Sequence, residues 1–499
     1  MSARQFYYFY ASLIGMYKSK ALQILRSLDR KELDRFKDFA NSPYCNSNSV
    51  VTQLLHYLLP YSPDFKHPNI EKKKAYKTLY PNKKYNEAYL RKQLSGLYQL
   101  GKEFLIYEKV GQARFFRNSA LLNQLQQRQL DNIFHVQFAQ CAELLEEEAI
   151  KDSTYYFGAF QLAKEAKSFF EKHDTEDSRH SLQAKADNLD IFYLVNKLRA
   201  SCEMLLEAKK GQNHFRFNLT QEVIQFLEKS NHSFLQIPVI KIYWTILNTL
   251  TNGENERNYN ILKQLLQQHF EAFSKAEALE MFRYAQHYCL QQINKGQHKY
   301  LEELFELLQF QLESGIKIKN GYLPLEDFKS MVALGLRQGN FDWVKNFLKT
   351  YKGKLNPEVA KDASVFYTAT YHHAKADTKS LIRLLKDYRF ENIYYTINAR
   401  FLLLKTYLKL EQERALLDEI HAFRLLLMRS KVITTQEKKG IQNCLKILKR
   451  ILRLKSDQKS KESRQYAERW EKIQHQVNNT QPLHNRNWLN EILEKIQQS

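Results

Sequence analysis

Within the stretch from Leu323 to Met428 three short phrases hold equivalent places: Gly339-Asn340-Phe341-Asp342-Trp343-Val344, Ala376-Asp377-Thr378-Lys379-Ser380-Leu381 and Glu411-Gln412-Glu413-Arg414-Ala415-Leu416. Each opens the second helix of a predicted helical hairpin. The aromatics that close those second helices, Tyr351, Tyr388 and Phe423, follow one another after 37 and 35 residues. A single helix pair cannot bury its apolar face alone. A repeat of this period therefore implies stacked hairpins, an α-solenoid.

The alternation continues upstream. Helices are expected over 119–149, 155–172, 182–208 and 219–228, then 237–250 paired with 256–273 and 276–293 paired with 298–312. Tyr259, Tyr300 and Phe341 occupy matching places, 41 residues apart each time. Asp174 to Asp177 reads as a polar linker, and Gly211 suits a left-handed C-cap. Downstream, Asn356-Pro357 supplies a cap followed by proline at the first helical position. Thr434 with Glu437 makes a capping box for the helix that reaches Leu454. A charged, Gln-rich segment, 455–479, is expected to be helical and exposed. A short amphipathic helix, 487–496, with Trp488, Leu489, Ile492 and Leu493 on one side, then caps the array.

Residues 18–110 read as a distinct N-terminal helical unit. Asp29 and Glu32 form an Asp version of the capping box, with Leu28 and Leu33 placed as a hydrophobic staple. Asn41-Ser42-Pro43 stops that helix. Gly96 and Gly101 lie inside the helix 85–107, where each costs about 1 kcal/mol relative to Ala. Close helix–helix contact or a kink accounts for them. The expected partition is 1–17 as a poorly defined segment, 18–110 as the N-terminal unit, 111–455 as the solenoid, and 456–499 as the charged helix and cap.

Composition agrees with an all-α fold: 499 residues contain only 14 Gly and 9 Pro, with no run of alternating apolar and polar positions. The formal charge of +22, from 76 Lys+Arg against 54 Asp+Glu, favours anionic partners or simply a basic surface. Five scattered cysteines, Cys45, Cys141, Cys202, Cys289 and Cys444, form no CxxC pair and read as buried thiols in a reducing compartment, the cytoplasm. The apolar stretch Phe6 to Tyr17 is too short to span a bilayer as a helix, so no integral membrane association is expected.

Gly339-Asn340-Phe341 and Gly296-Gln297-His298-Lys299-Tyr300, each followed by an amphipathic helix, resemble the turn of a tetratricopeptide repeat. The likeness implies a protein or peptide partner on a concave surface lined by the first helix of each pair. That family places small residues where its helices touch, whereas Val344, Leu381, Tyr351 and Tyr388 fill those sites here. Wider spacing or altered packing angles are expected. Leu28-Asp29-Arg30-Lys31-Glu32, Ser42-Pro43-Tyr44-Cys45-Asn46, Tyr85-Asn86-Glu87 and Phe104-Leu105-Ile106-Tyr107-Glu108, with the closing Asn487-Trp488-Leu489, resemble a group of uncharacterised bacterial helical-repeat proteins. That resemblance implies architecture and no activity.

Two candidate surfaces follow. Tyr371 and Tyr394 are candidates to anchor a protein or peptide on the concave face. Lys439, Lys446, Lys449, Arg450 and Arg453 share one arc of a helix whose opposite side carries Ile441, Cys444, Leu445, Leu448, Ile451 and Leu452, so they are candidates for an anionic partner. A second basic patch, Lys72, Lys73, Lys74 and Lys77 with Lys83, Lys84, Arg91 and Lys92, extends the nucleic-acid alternative to 72–92. No phosphate-cradling Gly loop, nucleophile elbow or HExxH helix occurs, and neither cofactor nor metal is expected. Adjacent His372 and His373 point about 100° apart on a helix and cannot chelate one ion. A non-enzymatic scaffold or adaptor is therefore the leading expectation, with a nucleic-acid-associated protein as the alternative. Nothing in the sequence names the partner.

Overall fold

The computed structural model describes residues 16–171, 176–211, 214–229, 233–251, 255–456 and 464–498. Most of the aromatic stretch Phe6 to Tyr17, part of the linker at 174–177 and part of the charged segment 455–479 lie outside the described residues. The described residues form 23 α-helices and no strand, with a single isolated bridge between Lys319 and Tyr322. They divide into two compact units, Met1–Lys197 and Leu198–Ser499, the divide falling inside one long helix, Glu176–Lys210.

In the first unit, α1 (Lys20–Ser27), α2 (Arg30–Asn41), α3 (Ser49–Leu58), α4 (Lys72–Leu79) and α5 (Glu87–Gln112) enclose a core that runs from Met16 to Phe104. The capping box is closed in both directions, Asp29 N–H to Glu32 Oε2 and Glu32 N–H to Asp29 Oδ1, each at 2.8 Å. Close contact explains the two glycines of α5. A Cβ on Gly96 would meet Val51 Cγ2 at 2.8 Å, and one on Gly101 would meet Ile24 at 3.2 Å.

Beyond α5 the expected helix 119–149 is two helices, α6 (Arg114–Gln127) and α7 (Asp131–Glu146), followed by α8 (Ser153–Phe170). The break is at Gln129, whose φ is +57°. No glycine or proline marks it, which is why hydrophobic periodicity alone runs through it. The long helix α9 (Glu176–Lys210) starts within the expected linker, where Glu176 and Asp177 suit the positive end of the helix dipole. Gly211 after it is not left-handed.

The second unit continues with α10 (Thr220–Lys229), α11 (Pro238–Thr251), α12 (Glu256–His269), α13 (Lys275–Asn294) and α14 (Tyr300–Glu313). The three hairpins of the opening stretch follow as α15 (Leu325–Arg337) with α16 (Phe341–Tyr351), α17 (Pro357–Ala374) with α18 (Thr378–Asp387), and α19 (Ile393–Lys409) with α20 (Glu413–Arg429). Three further helices, α21 (Thr435–Ser456), α22 (Arg464–Asn479) and α23 (Arg486–Gln498), end the chain and pack on one another. First helices also meet across hairpins, α15 against α17 and α17 against α19. The expected equivalence of Tyr259, Tyr300 and Phe341 is looser than their spacing suggests. Tyr300 and Phe341 begin their helices, whereas Tyr259 lies one turn into α12, and Phe341 is only half-buried.

One backbone device closes these hairpins. Gly339, Ala376 and Glu411 have φ of +75°, +59° and +55°, and Gly296 and Gln129 hold the same conformation at two earlier turns. At each, the next residue's N–H returns to a carbonyl five residues back: Asn340 to Gly335, Asp377 to His372, Gln412 to Tyr407, Gln297 to Gln292 and Leu130 to Leu125. This is the Schellman closure, which satisfies the last carbonyls of the first helix. A side chain in the left-handed region costs about 1–2 kcal/mol. Replacing Ala376 or Glu411 by Gly should therefore stabilise the second unit by about 0.5 kcal/mol after the entropy of the unfolded chain is subtracted. Gly339→Ala should destabilise it by about 1 kcal/mol, although a Cβ there meets nothing within 4 Å. Urea denaturation of the three variants checks both signs.

At the first hairpin a small residue stands opposite Val344. Gly335 on α15 gives the space that Val344 fills, since a Cβ on Gly335 would lie 2.6 Å from Val344 Cγ2. The Tyr351 ring stacks on Phe347 along α16 at 5.0 Å, and Phe347 stacks on Trp343 at the same distance.

Candidate functional site

First helices of the three hairpins line one groove of about 610 Å³, with Val332 from α15, Phe366 and Tyr367 from α17, and Tyr394, Phe401 and Lys405 from α19. On α17, positions 366 and 370 face the groove, one turn apart, while Tyr371 turns inward. Tyr371 is 5% exposed and packs against Phe341 and His372, so it does not reach the exposed surface of the groove. Tyr394 does, with 48% of its surface exposed. The expectation that grouped these two tyrosines is thus divided by burial, because helical phase assigns a face but does not say which face a neighbouring hairpin covers.

Tyr394 is positioned by a buried carboxylate. Asp362 on α17 is 6% exposed. It accepts hydrogen bonds from the Tyr388 hydroxyl (2.9 Å), Glu391 N–H (3.3 Å) and Asn392 N–H (2.7 Å). These contacts fasten the loop before α19, where Asn392 caps the helix by accepting from Tyr394 N–H at 2.9 Å. Burial, with the Asp362 carboxylate beside it, pushes the Tyr388 phenol up to about 12. Asp362 stood out in no sequence pattern, since an isolated acid within a helix looks like a solvated one.

Two histidines near this groove are held neutral. Burial, with the charges of Lys405 and Lys409, keeps His373 below the ordinary imidazole value, and burial lowers His484 against the opposing effect of Glu437. Protonation then favours the unfolded chain, whose imidazoles titrate near pH 6.5. Stability present above that pH is lost as pH falls below it. Urea midpoints at pH 7.5 and 5.5 should show a smaller acid-side loss for His373→Gln than for the wild type.

The basic arc of α21 is laid out as its periodicity implies. Ile441, Cys444, Leu445, Leu448, Ile451 and Leu452 are buried, Lys439, Lys446 and Arg453 are exposed, and Lys449 and Arg450 are half-buried. The structure adds α22, whose Arg469 and Lys472 border a groove of about 520 Å³ together with Arg450 and Arg453. Neither residue was singled out by the sequence, because 455–479 shows charge without showing which helix it faces. The N-terminal patch is different. Glu87 pairs with both Lys72 (2.8 Å) and Arg91 (3.0 Å), and those partners hold its carboxyl below the usual range.

Two stretches quoted for the second resemblance meet in the first unit. Ser42, Tyr44 and Cys45 of one and Phe104, Ile106, Tyr107 and Glu108 of the other border a groove of about 840 Å³, across which Arg35 pairs with Glu108 at 2.6 Å. Tyr44 at its rim is 99% exposed.

Among the described residues no group of three metal-capable side chains comes together, and no helix is long and apolar enough to cross a membrane. Of the cysteines, all unpaired, only Cys45 is not buried. Cys289 donates to the Tyr259 hydroxyl at 3.2 Å, Tyr259 donates to Glu303 at 3.0 Å, and burial pushes the Cys289 thiol up to about 11, away from nucleophilic reactivity at neutral pH. No family model matches the chain, and no curated protein and no solved structure matches it significantly. What the fold supplies is an all-helical chain compatible with a helical repeat.

Proposed function

We infer that the protein is a non-enzymatic adaptor of the cytoplasm whose hairpins stack as a tetratricopeptide-like solenoid and hold an extended peptide segment of another protein. The observation that carries this reading is the groove shared by α15, α17 and α19, in which aromatic side chains of α17 and α19 stand beside Val332 of α15. Tyr394 is the anchor, a half-exposed ring on a rigid helix start, the kind of group that concentrates binding energy. Lys405 lies at the same groove with its ammonium 5.5 Å over the Trp488 ring, and Lys329 lines it beside Glu326 at 3.6 Å. The peptide that fits presents an aromatic or large aliphatic side chain next to an acidic one.

Selection of displayed peptides against the full chain tests this. Selected peptides should share that aromatic–acidic pairing, and Tyr394→Ala should weaken them by at least about 10-fold. Lys405→Glu should weaken acidic peptides selectively. Peptides unaffected by both substitutions would place binding elsewhere and refute the reading.

A further inference from the structure

In the first unit, residues 72–92 carry eight Lys and Arg against one acid, Glu87. Glu87 takes up Lys72 and Arg91, at 2.8 and 3.0 Å, and Lys74 donates to Asn69 Oδ1 at 3.2 Å. Lys73, Lys77, Lys83, Lys84 and Lys92 remain, all exposed and in no ion pair among the described residues. Four tyrosines run between them. Tyr76 packs on Tyr85 at 5.3 Å and on Tyr80 at 4.9 Å, and Tyr80 packs on Tyr89 at 6.2 Å. Tyr76 is buried, whereas Tyr85 and Tyr89 keep 36% and 53% of their surface exposed. Gln93 Nε2 donates to the Tyr80 hydroxyl at 3.1 Å, which ties the cluster to α5. Lys73 stands one turn before Tyr76 on α4, and Lys92 one turn after Tyr89 on α5. Lys84 adjoins Tyr85, and Lys83 lies 5.6 Å over the Tyr80 ring.

We propose that this face binds single-stranded nucleic acid, with Tyr85 and Tyr89 stacking on bases and the five lysines meeting the phosphates around them. Exposed rings held in place by a buried one are the platform that an unpaired strand needs, and stacking of this kind tolerates any base. In a duplex the bases are already stacked on one another, so a duplex keeps only the phosphate contacts. An anionic membrane is a poorer fit, because surface helices that bind one insert Leu, Phe or Trp beside their cations. Between Lys66 and Lys102 the only exposed large apolar side chains are the two tyrosines. This face belongs to the first unit and the peptide groove to the second, and either reading can fail without the other.

The test is the anisotropy of a fluorescein-labelled single-stranded 20-mer titrated with the full chain at 50 to 200 mM NaCl. Five phosphate contacts predict a log–log salt slope of about −3.5 and a loss of roughly 100-fold across that range. Lys73→Ala with Lys77→Ala should reduce the slope to about −2.1 and weaken binding about 10-fold at 50 mM. Tyr89→Ala should weaken the single strand about 10-fold with the slope unchanged, and should leave a duplex of the same sequence unaffected. Tyr89→Phe, which keeps the ring, should bind as the wild type does. Lys439→Ala with Lys446→Ala, removing the same charge from exposed positions of α21, should change little. An abasic strand bound as tightly as the normal one, or Tyr89→Ala without effect, would overturn the proposal. Equal losses in the patch and control variants, or no binding of the wild type at 50 mM, would do the same. Displacement of the strand by vesicles of equimolar phosphatidylcholine and phosphatidylserine, or by polyglutamate at equal charge concentration, would assign the face to a membrane or an acidic protein instead.

Discussion

Replacing Asp362 by Ala should accelerate hydrogen exchange of the loop 388–392 and the start of α19 by more than about 100-fold, corresponding to about 3 kcal/mol of local stability. The carboxylate is buried and accepts from the Tyr388 hydroxyl and from the Glu391 and Asn392 N–H groups. Hydrogen bonds to a charged acceptor contribute about 1.5–3 kcal/mol each, and their loss leaves donors in partly desolvated positions. Tyr388→Phe removes one of the three donors and should cost less, about 1.5 kcal/mol. The readout is local because a chain of two units need not unfold in one transition. Since Asn392 caps α19 and fixes Tyr394, Asp362→Ala should also weaken the selected peptides although Asp362 does not line the groove. Unchanged exchange over 388–392 would show that the loop is held by other contacts.

Gly335→Ala is the second large effect. A Cβ there would approach Val344 Cγ2 to 2.6 Å, with Trp343 and Phe305 at 3.5 and 3.6 Å behind it. Val344 is fully buried, so the clash cannot be relieved toward solvent. Overpacking of this kind costs about 1–3 kcal/mol, against a gain of about 1 kcal/mol from placing alanine in a helix. A net loss of up to about 2 kcal/mol is expected in urea denaturation. Val344→Ala alone should also destabilise by leaving a cavity. Combined, the two changes should compensate, with a coupling of about 2 kcal/mol in a double-mutant cycle. Additive losses would mean that the two helices do not meet through this pair.

Both effects arise from contacts that the sequence signals only in part. Helix limits in and just beyond the opening stretch were legible because Gly339, Asn356-Pro357 and Thr434-Glu437 use residues whose chemistry caps or stops helices. The turn at Gln129 was not, because a Schellman closure needs a left-handed residue and glutamine carries no mark of one. The exchange of small and large residues across the first hairpin was hidden for a related reason. Val344 breaks the expected pattern on its own helix, and the compensating Gly335 is visible only once the two helices are laid together. At the surfaces, helical phase separated the buried side of α21 from its basic side, yet it left open that α22 would bring Arg469 and Lys472 to the same groove. Burial likewise removed Tyr371 from the exposed side of its hairpin and left Tyr394 on it. Periodicity reports one helix at a time, whereas a binding surface is a property of several.

The central claim is that partner peptides lie on the first helices of the hairpins. Site-specific photo-crosslinking tests it most directly, with a benzoylphenylalanine probe placed at Tyr394 on α19 or at Asn346, an exposed position on α16, and a selected peptide as the target. The probe at Tyr394 should capture the peptide in a reaction suppressed by excess unlabelled peptide, and the probe at Asn346 should not. Capture from Asn346 with none from Tyr394 would put the partner on the second helices and contradict the account.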